Sequence, residues 1–190
     1  MTLTDGTAVV LRPIRPEDKA ALVDGLSRLS PESRYRRFMR AVTSLNEREL
    51  RYLTEIDYTD HFAWVAVSAD PDAAHPGLGV ARYVRDPKDP EVAEAAVAVV
   101  DDHQGLGLGT LLLSLLVETA LQNGIRTFRS WVQADNVRVL RPLQRIGARR
   151  STDDGMLRIE VDLPEVYDGS RLQDALRAVA AGEFDPEPRR

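Results

Sequence analysis

The chain has 190 residues, 43% hydrophobic and 29% charged, with no cysteine, three histidines and a formal net charge of -5. That length and mixture suit a single domain with one well-buried core, and they exclude disulfides, thiolate nucleophiles and cysteine metal sites. The scattered histidines make no metal-ligand cluster, and the acidic balance speaks against a nucleic-acid partner while permitting a cationic substrate. No apolar run approaches a membrane span, and the opening MTLTDG carries neither a basic segment nor a signal-peptide core, so a cytoplasmic protein without membrane contact is expected.

In chain order, TAVVLRPI (7–14) predicts a strand and PEDKAALVDGLSRL (16–29) a helix, with proline and acids in its first turn. Pro31 starts a second helix, PESRYRRFM, and Asn46 caps a third, NERELRYLTEI. HFAWVAVSA (61–69) and GLGVARYV (77–84) are strands joined by the turn-rich DPDAAHP. Then comes VAVVDDHQGLGLGT (97–110), a β-branched run ending at Val100, two acids and three alternate glycines, followed by an apolar helix over Leu111–Leu121. RRSTDDGMLRIEVDLP predicts a closing hairpin around Asp154 and Gly155. Beyond it, SRLQDALRAVAAG reads as an extra helix used for packing or homodimer formation, and FDPEPRR as a disordered tail.

Strand, glycine loop and helix in that order build an anion site. Gly105, Gly107 and Gly109 let the backbone turn its N–H groups toward a ligand, and the unpaired amides and partial positive charge of a helix start favour phosphate. The dinucleotide and nucleotide-hydrolase fingerprints are both missing: Leu112 stands where a third glycine would fall, and the loop has no lysine. The spacing present is Q-x-x-G-x-G over Gln104, Gly107 and Gly109. It resembles the acyl-CoA loop of the GNAT superfamily of N-acetyltransferases, and SWVQADNVRVLRPLQRIGA resembles the second half of that signature.

The resemblance implies an α/β fold with a mixed, mostly antiparallel sheet flanked by helices, a GNAT domain over 1–165 and the extra helix and tail over 166–190. It implies acetyl-CoA as cosubstrate and no metal. Val97, Ala98 and Val99 would line the cofactor, with Gln104, Gly105, Leu106, Gly107, Leu108, Gly109 and Thr110 around its phosphates. Arg126–Gln133 would be the strand beside it, and Asn136 would contact the pantetheine or phosphate arm; Asp135 and Asn136 are also good helix caps, so capping alone stays open for Asn136. VVLRPIRPED, LSPESRYRRF and LTEIDYTDHFAWVAV are similar to the acetyltransferase domain of bacterial protein lysine acetyltransferases, which implies a protein lysine as acceptor.

Moving an acetyl group onto a lysine needs a neutral amine, whose free pKa is about 10.4. By the same resemblance the base is Glu94, on the sheet face of Ala96, Ala98 and Val100, about 10 Å of strand from Val97 and so acting through water. An exposed acid at a strand start is the plain alternative. The amide of Val97 or a neighbour would face the thioester oxygen, with Val99 pairing with pantetheine as an added strand. Three positions depart from the family pattern: Leu143 replaces a tyrosine acid, leaving water to protonate the thiolate, Pro142 interrupts the second helix, and Ala148 replaces an aromatic residue. Arg34, Arg36, Arg37 and Arg40 read first as a solvated helix face with Tyr35 and Phe38 turned inward, and second as a site near the coenzyme phosphates or for an acidic protein partner; Asp57, Tyr58, Asp60 and His61 read as turn residues or a border of the acceptor pocket. Trp64 and Trp131 read as core. A small-molecule amine acetyltransferase and a non-catalytic acyl-CoA-binding module are the two alternatives.

Overall fold

A computed structural model describes residues 2–3, 5–133, 140, 147–153 and 156–163. The elements are β1 (Val9–Pro13), α1 (Lys19–Ser27), α2 (Pro31–Phe38), α3 (Glu47–Thr54), β2 (His61–Ser68), β3 (Gly77–Asp86), β4 (Asp89–Val99), α4 (Leu108–Gln122), β5 (Thr127–Val132), β6 (Arg149–Asp153) and β7 (Met156–Asp162). The strands form one sheet in the order β1-β2-β3-β4-β5-β7-β6. Every pairing is antiparallel except β4 with β5. This is the mixed, mostly antiparallel sheet that the resemblance implied. Asn136, Pro142, Leu143, the hairpin residues Asp154 and Gly155, and the extra helix with its tail lie outside the described residues.

Local chemistry sets the helix starts. Ser30 accepts from the Ser33 amide with Pro31 opening α2, and Asn46 and Glu49 close a reciprocal capping box on α3. α4 begins three residues earlier than the apolar pattern suggests, because Gly107 takes the cap position with φ 84° and Leu108 is already helical. Its Leu108, Leu112, Leu116, Val117 and Ala120 are buried against Phe62, Ala66, Ala81, Tyr83, Ala93 and Ala95 of the sheet. β4 also starts earlier, at Asp89. EVAEAA is rich in good helix formers, so only VAVV carries a clear strand signal; pairing with β3 from Val99↔Gly79 to Ala93↔Arg85 overrides that propensity.

The alternation of β4 divides its duties. Ala93, Ala95, Val97 and Val99 pack toward α4, while Ala98 and Val100 border the side of α1 and α2. Gly79 brings β3 close to α4: a Cβ there would lie 3.0 Å from Leu112 Cδ1 and 3.2 Å from Ala98 O. Gly79→Val is therefore expected to destabilise the fold by about 1–3 kcal/mol through overpacking, read from urea denaturation, with Val84→Ala on the same strand as a control for β3 substitutions in general.

Candidate active site

The two central strands part company. β5 pairs with β4 only at Val92↔Thr127, Ala93↔Phe128 and Glu94↔Arg129, then runs on with β7 as far as Val132↔Leu157. At the fork Ser130 Oγ donates to Ala95 O (2.9 Å), so a side chain takes the carbonyl that a continued ladder would have used. A cleft of about 550 Å³ opens there, lined by β4 from Glu94 to Val99, by Gln104, Gly109, Leu113 and Val117, and by Ser130–Gln133.

Antiparallel pairing decides which backbone groups face the cleft. Val100 N–H donates to Leu78 O on β3. By alternation, the N–H and C=O groups of Val97 and Val99 turn the other way, into the fork. The expected oxyanion donor and the expected pantetheine-pairing residue thus share one open edge. Ala98 lies between them with its backbone turned toward β3, pairing with Val80.

At the head of the cleft, Gly105 (φ 75°) and Gly107 (φ 84°) occupy the left-handed region, and Gly109 is instead a buried residue in the first turn of α4. The first helical bond runs from Leu111 N–H to Gly107 O. Among the described residues, the amides of Gly105, Leu106, Gly107, Leu108 and Gly109 meet no backbone acceptor. This loop and helix start fit a pyrophosphate, and the β4 edge fits an amide-bearing arm, so acetyl-CoA is compatible with the residues present. Gln104 braces the loop here: its Nε2 donates to Val99 O and Asp101 Oδ1 (both 3.0 Å). The two acids before it hold the loop to the other side of the sheet. Asp101 Oδ2 accepts from Ser30 N–H (3.0 Å), and both Asp102 oxygens accept from Arg28 Nη2 (3.0 and 2.9 Å), whose Nη1 donates to Gly77 O.

Glu94 stands on β4 at the fork, exposed and bordering the cleft. Its neighbour in register, Arg129, is committed to Asp86 and Glu160. Among the described residues the Glu94 carboxylate has no hydrogen bond or ion pair, which leaves it available to take a proton. Arg37 of α2 borders the same cleft; burial pushes its pKa below the usual arginine range, and the charge of Glu94 partly offsets that.

Several side chains depart from the sequence reading. Tyr35 is 43% exposed rather than packed inward, and Arg37 turns toward the sheet in its place. Trp131 lines the cleft wall rather than the core, while Trp64 packs against the core with Nε1 donating to Thr119 Oγ1. Asp57 Oδ1 accepts from the amides of Thr59, Asp60 and His61, which is turn chemistry. Arg82 was missed altogether, although a lone arginine in the otherwise apolar GLGVARYV was the available signal. Among the described residues no His, Asp and Glu cluster could hold a metal ion.

The model of the "Acetyltransferase (GNAT) family" matches residues 28–148. Acetyltransferase Pat of Mycolicibacterium smegmatis is 37% identical over 157 residues, which are 82% of this chain and 46% of that protein. The chain therefore spans about half the length of that curated relative. The GNAT domain of S. lividans PAT superposes with a TM-score of 0.73 at 28% identity, covering 86% of this chain and 95% of that domain. The yncA protein of Salmonella typhimurium, solved with acetyl-CoA, shares the fold at 17% identity with a TM-score of 0.61, over 84% and 96% of the two chains.

Two outcomes follow from this geometry. Gly107→Val forces a β-branched residue into a left-handed conformation and turns amides away from the loop; titration calorimetry should show coenzyme A affinity reduced by about tenfold or more, the scale of one lost charge-assisted hydrogen bond. Burial and the charge of Arg82 push the pKa of His61 down to about 4. Its Nε2, 3.0 Å from Arg82 Nη1, accepts from that arginine. The unfolded chain binds a proton near pH 6.5 that the folded ring refuses, so the His61 contribution to stability is present above pH 6.5 and is lost as pH falls toward 4. In NMR titration the His61 ring signals should stay in their neutral positions from pH 7 to about 5.

Proposed function

The chain belongs to the acetyltransferase (GNAT) family, and on that footing we propose that it is an N-acetyltransferase that acetylates a protein lysine by direct attack of the amine, with Glu94 as general base. The observation that carries this reading is the arrangement of β4. One strand holds Glu94 at the fork and offers Val97 and Val99 to the opened edge, and its far end enters the glycine loop before α4.

Acetyl-CoA, when bound, supplies an acetyl group activated as a thioester. Residues Gly105–Gly109 present amides to its phosphates, and the Val99 edge pairs with its amide-bearing arm. The Val97 N–H, fixed in a strand, donates to the oxygen on which negative charge grows, without reorganising during the reaction. Glu94 accepts the amine proton, through water over the roughly 10 Å of strand that separates it from Val97; as the new C–N bond forms the thioester C–S bond breaks, and the departing coenzyme A thiolate would take its proton from water. The fold holds both reactants on one strand, and proximity supplies much of the remaining acceleration. The lysine acceptor rests on the amino-terminal resemblance and on the relation to Pat.

Radiolabelled acetyl-CoA offered to cell-extract proteins and to a panel of small amines tests the reading. Label on protein supports it, label confined to small amines moves the acceptor class, and bound coenzyme without transfer points to a binding module. Glu94→Gln should keep acetyl-CoA affinity and lose about 10²-fold in turnover. The wild-type rate should rise with pH as the acceptor amine deprotonates. An unchanged turnover across pH in the variant would assign the proton to another acceptor.

A further inference from the structure

Arg82, on the sheet face that carries Glu94, and Arg37 of α2 are two neighbouring cations without an ion-pair partner among the described residues. Arg82 of β3 is 5% exposed, and no carboxylate pairs with it among the described residues. Its Nη1 and Nη2 donate to Leu53 O at the end of α3 (3.2 Å each), and Nη1 also meets His61 Nε2. Its Nε is buried without a partner. Burial and the nearby charge of Arg37 push its pKa down to about 9, so it remains cationic at neutral pH. The Arg37 guanidinium makes no hydrogen bond among the described residues and lies 5.0 Å from the centre of the adjacent Phe38 ring.

Both arginines border a cavity of about 80 Å³ beneath α1 and α2, otherwise walled largely by apolar side chains such as Leu22, Leu26, Val65 and Val80. Arg37 borders the large cleft as well, so it stands between the two spaces. The acid of the cavity wall, Asp18, is already satisfied: Arg12 donates to both of its oxygens (2.7 Å each) and Arg15 N–H to Oδ2 (2.7 Å). Glu94 attracts Arg37 from the cleft side without forming an ion pair. Buried charges are ordinarily paired, and two adjacent cations with a spare buried N–H leave room for an anion. The space takes several water-sized groups, enough for a carboxylate and the carbon that bears it. A guanidinium fork matches a planar carboxylate.

We propose that Arg37 and Arg82 form an anion subsite on the acceptor side of the cleft, which takes a carboxylate carried by the acceptor amine. The carboxylate belongs either to an acidic residue near the target lysine or to a free amino acid. Placing the amine itself at Glu94 rests on the function proposed above; the carboxylate subsite does not. Arg37 is the contact reached from the cleft, and Arg82 reinforces it from behind while closing the end of α3.

Glutarate is the probe. In saturation-transfer NMR at pH 7 the wild-type protein should bind glutarate, Arg37→Gln should weaken it at least about tenfold, the scale of one charge-assisted contact, and Arg37→Lys should recover part of the loss. The circular dichroism spectrum establishes that each variant is folded. Transfer assays then separate the sources: a lysine peptide with a neighbouring Glu against its Gln counterpart, and free lysine against lysinamide. Arg37→Gln should raise KM for the carboxylate member of one pair and leave its amide partner unmoved. Equal glutarate binding by wild type and Arg37→Gln, or none by either, overturns the subsite. Glutarate binding that depends on Arg37 without acetylation of any amine supports the subsite and contradicts the lysine-acceptor reading.

Discussion

Everything at the site depends on β4 losing its neighbour on one edge. A strand in mid-sheet normally satisfies backbone groups on both sides, and leaving one buried without a partner costs about 1–3 kcal/mol. Here β4 keeps β3 along nearly its whole length and releases β5 after Glu94↔Arg129. Ser130 caps the first exposed carbonyl, that of Ala95, and Gln104 covers that of Val99. The Val97 groups are left facing a cleft. A ligand that brings its own amide and carbonyl repairs the interrupted ladder, which is the same physics as adding a strand to a sheet edge.

The fork works because its surroundings are rigid. α4 is held by a close-packed set of leucines against one sheet face, and Gly79 lets it approach without a clash. Its amino end is fixed by the acid pair Asp101 and Asp102, bonded across to Ser30 and Arg28 between α1 and α2. The loop that would receive phosphate and the helices that cover the acceptor side are thereby joined by hydrogen bonds. Ala96 and Ala98, small residues on the Glu94 face, keep that side open, and the arginines set its charge.

The glycine loop, the strand before it and the helix after it were legible because each rests on local chemistry: β-branched residues, glycines at left-handed turns, and an apolar helix. The helix starts at Ser30 and Asn46 were legible for the same reason. The length of β4 was not, since alanine and glutamate favour helix and only pairing with β3 makes EVAEAA a strand. The inward turn of Arg37 was hidden because the four arginines of its stretch look alike in sequence; of the four, Arg37 alone borders both the cavity and the cleft. Trp131 was misplaced for a related reason, since an aromatic residue on a strand reads as core until the neighbouring strand is found to have left.

Amide hydrogen exchange along β4, with and without acetyl-CoA, tests the central claim most directly. The account predicts that Val97 and Val99 gain protection when acetyl-CoA is added, while Ala96 and Ala98, whose backbone groups face β3, change little. Equal protection at all four positions, or none at Val97 and Val99 in a protein that binds the coenzyme, would contradict it.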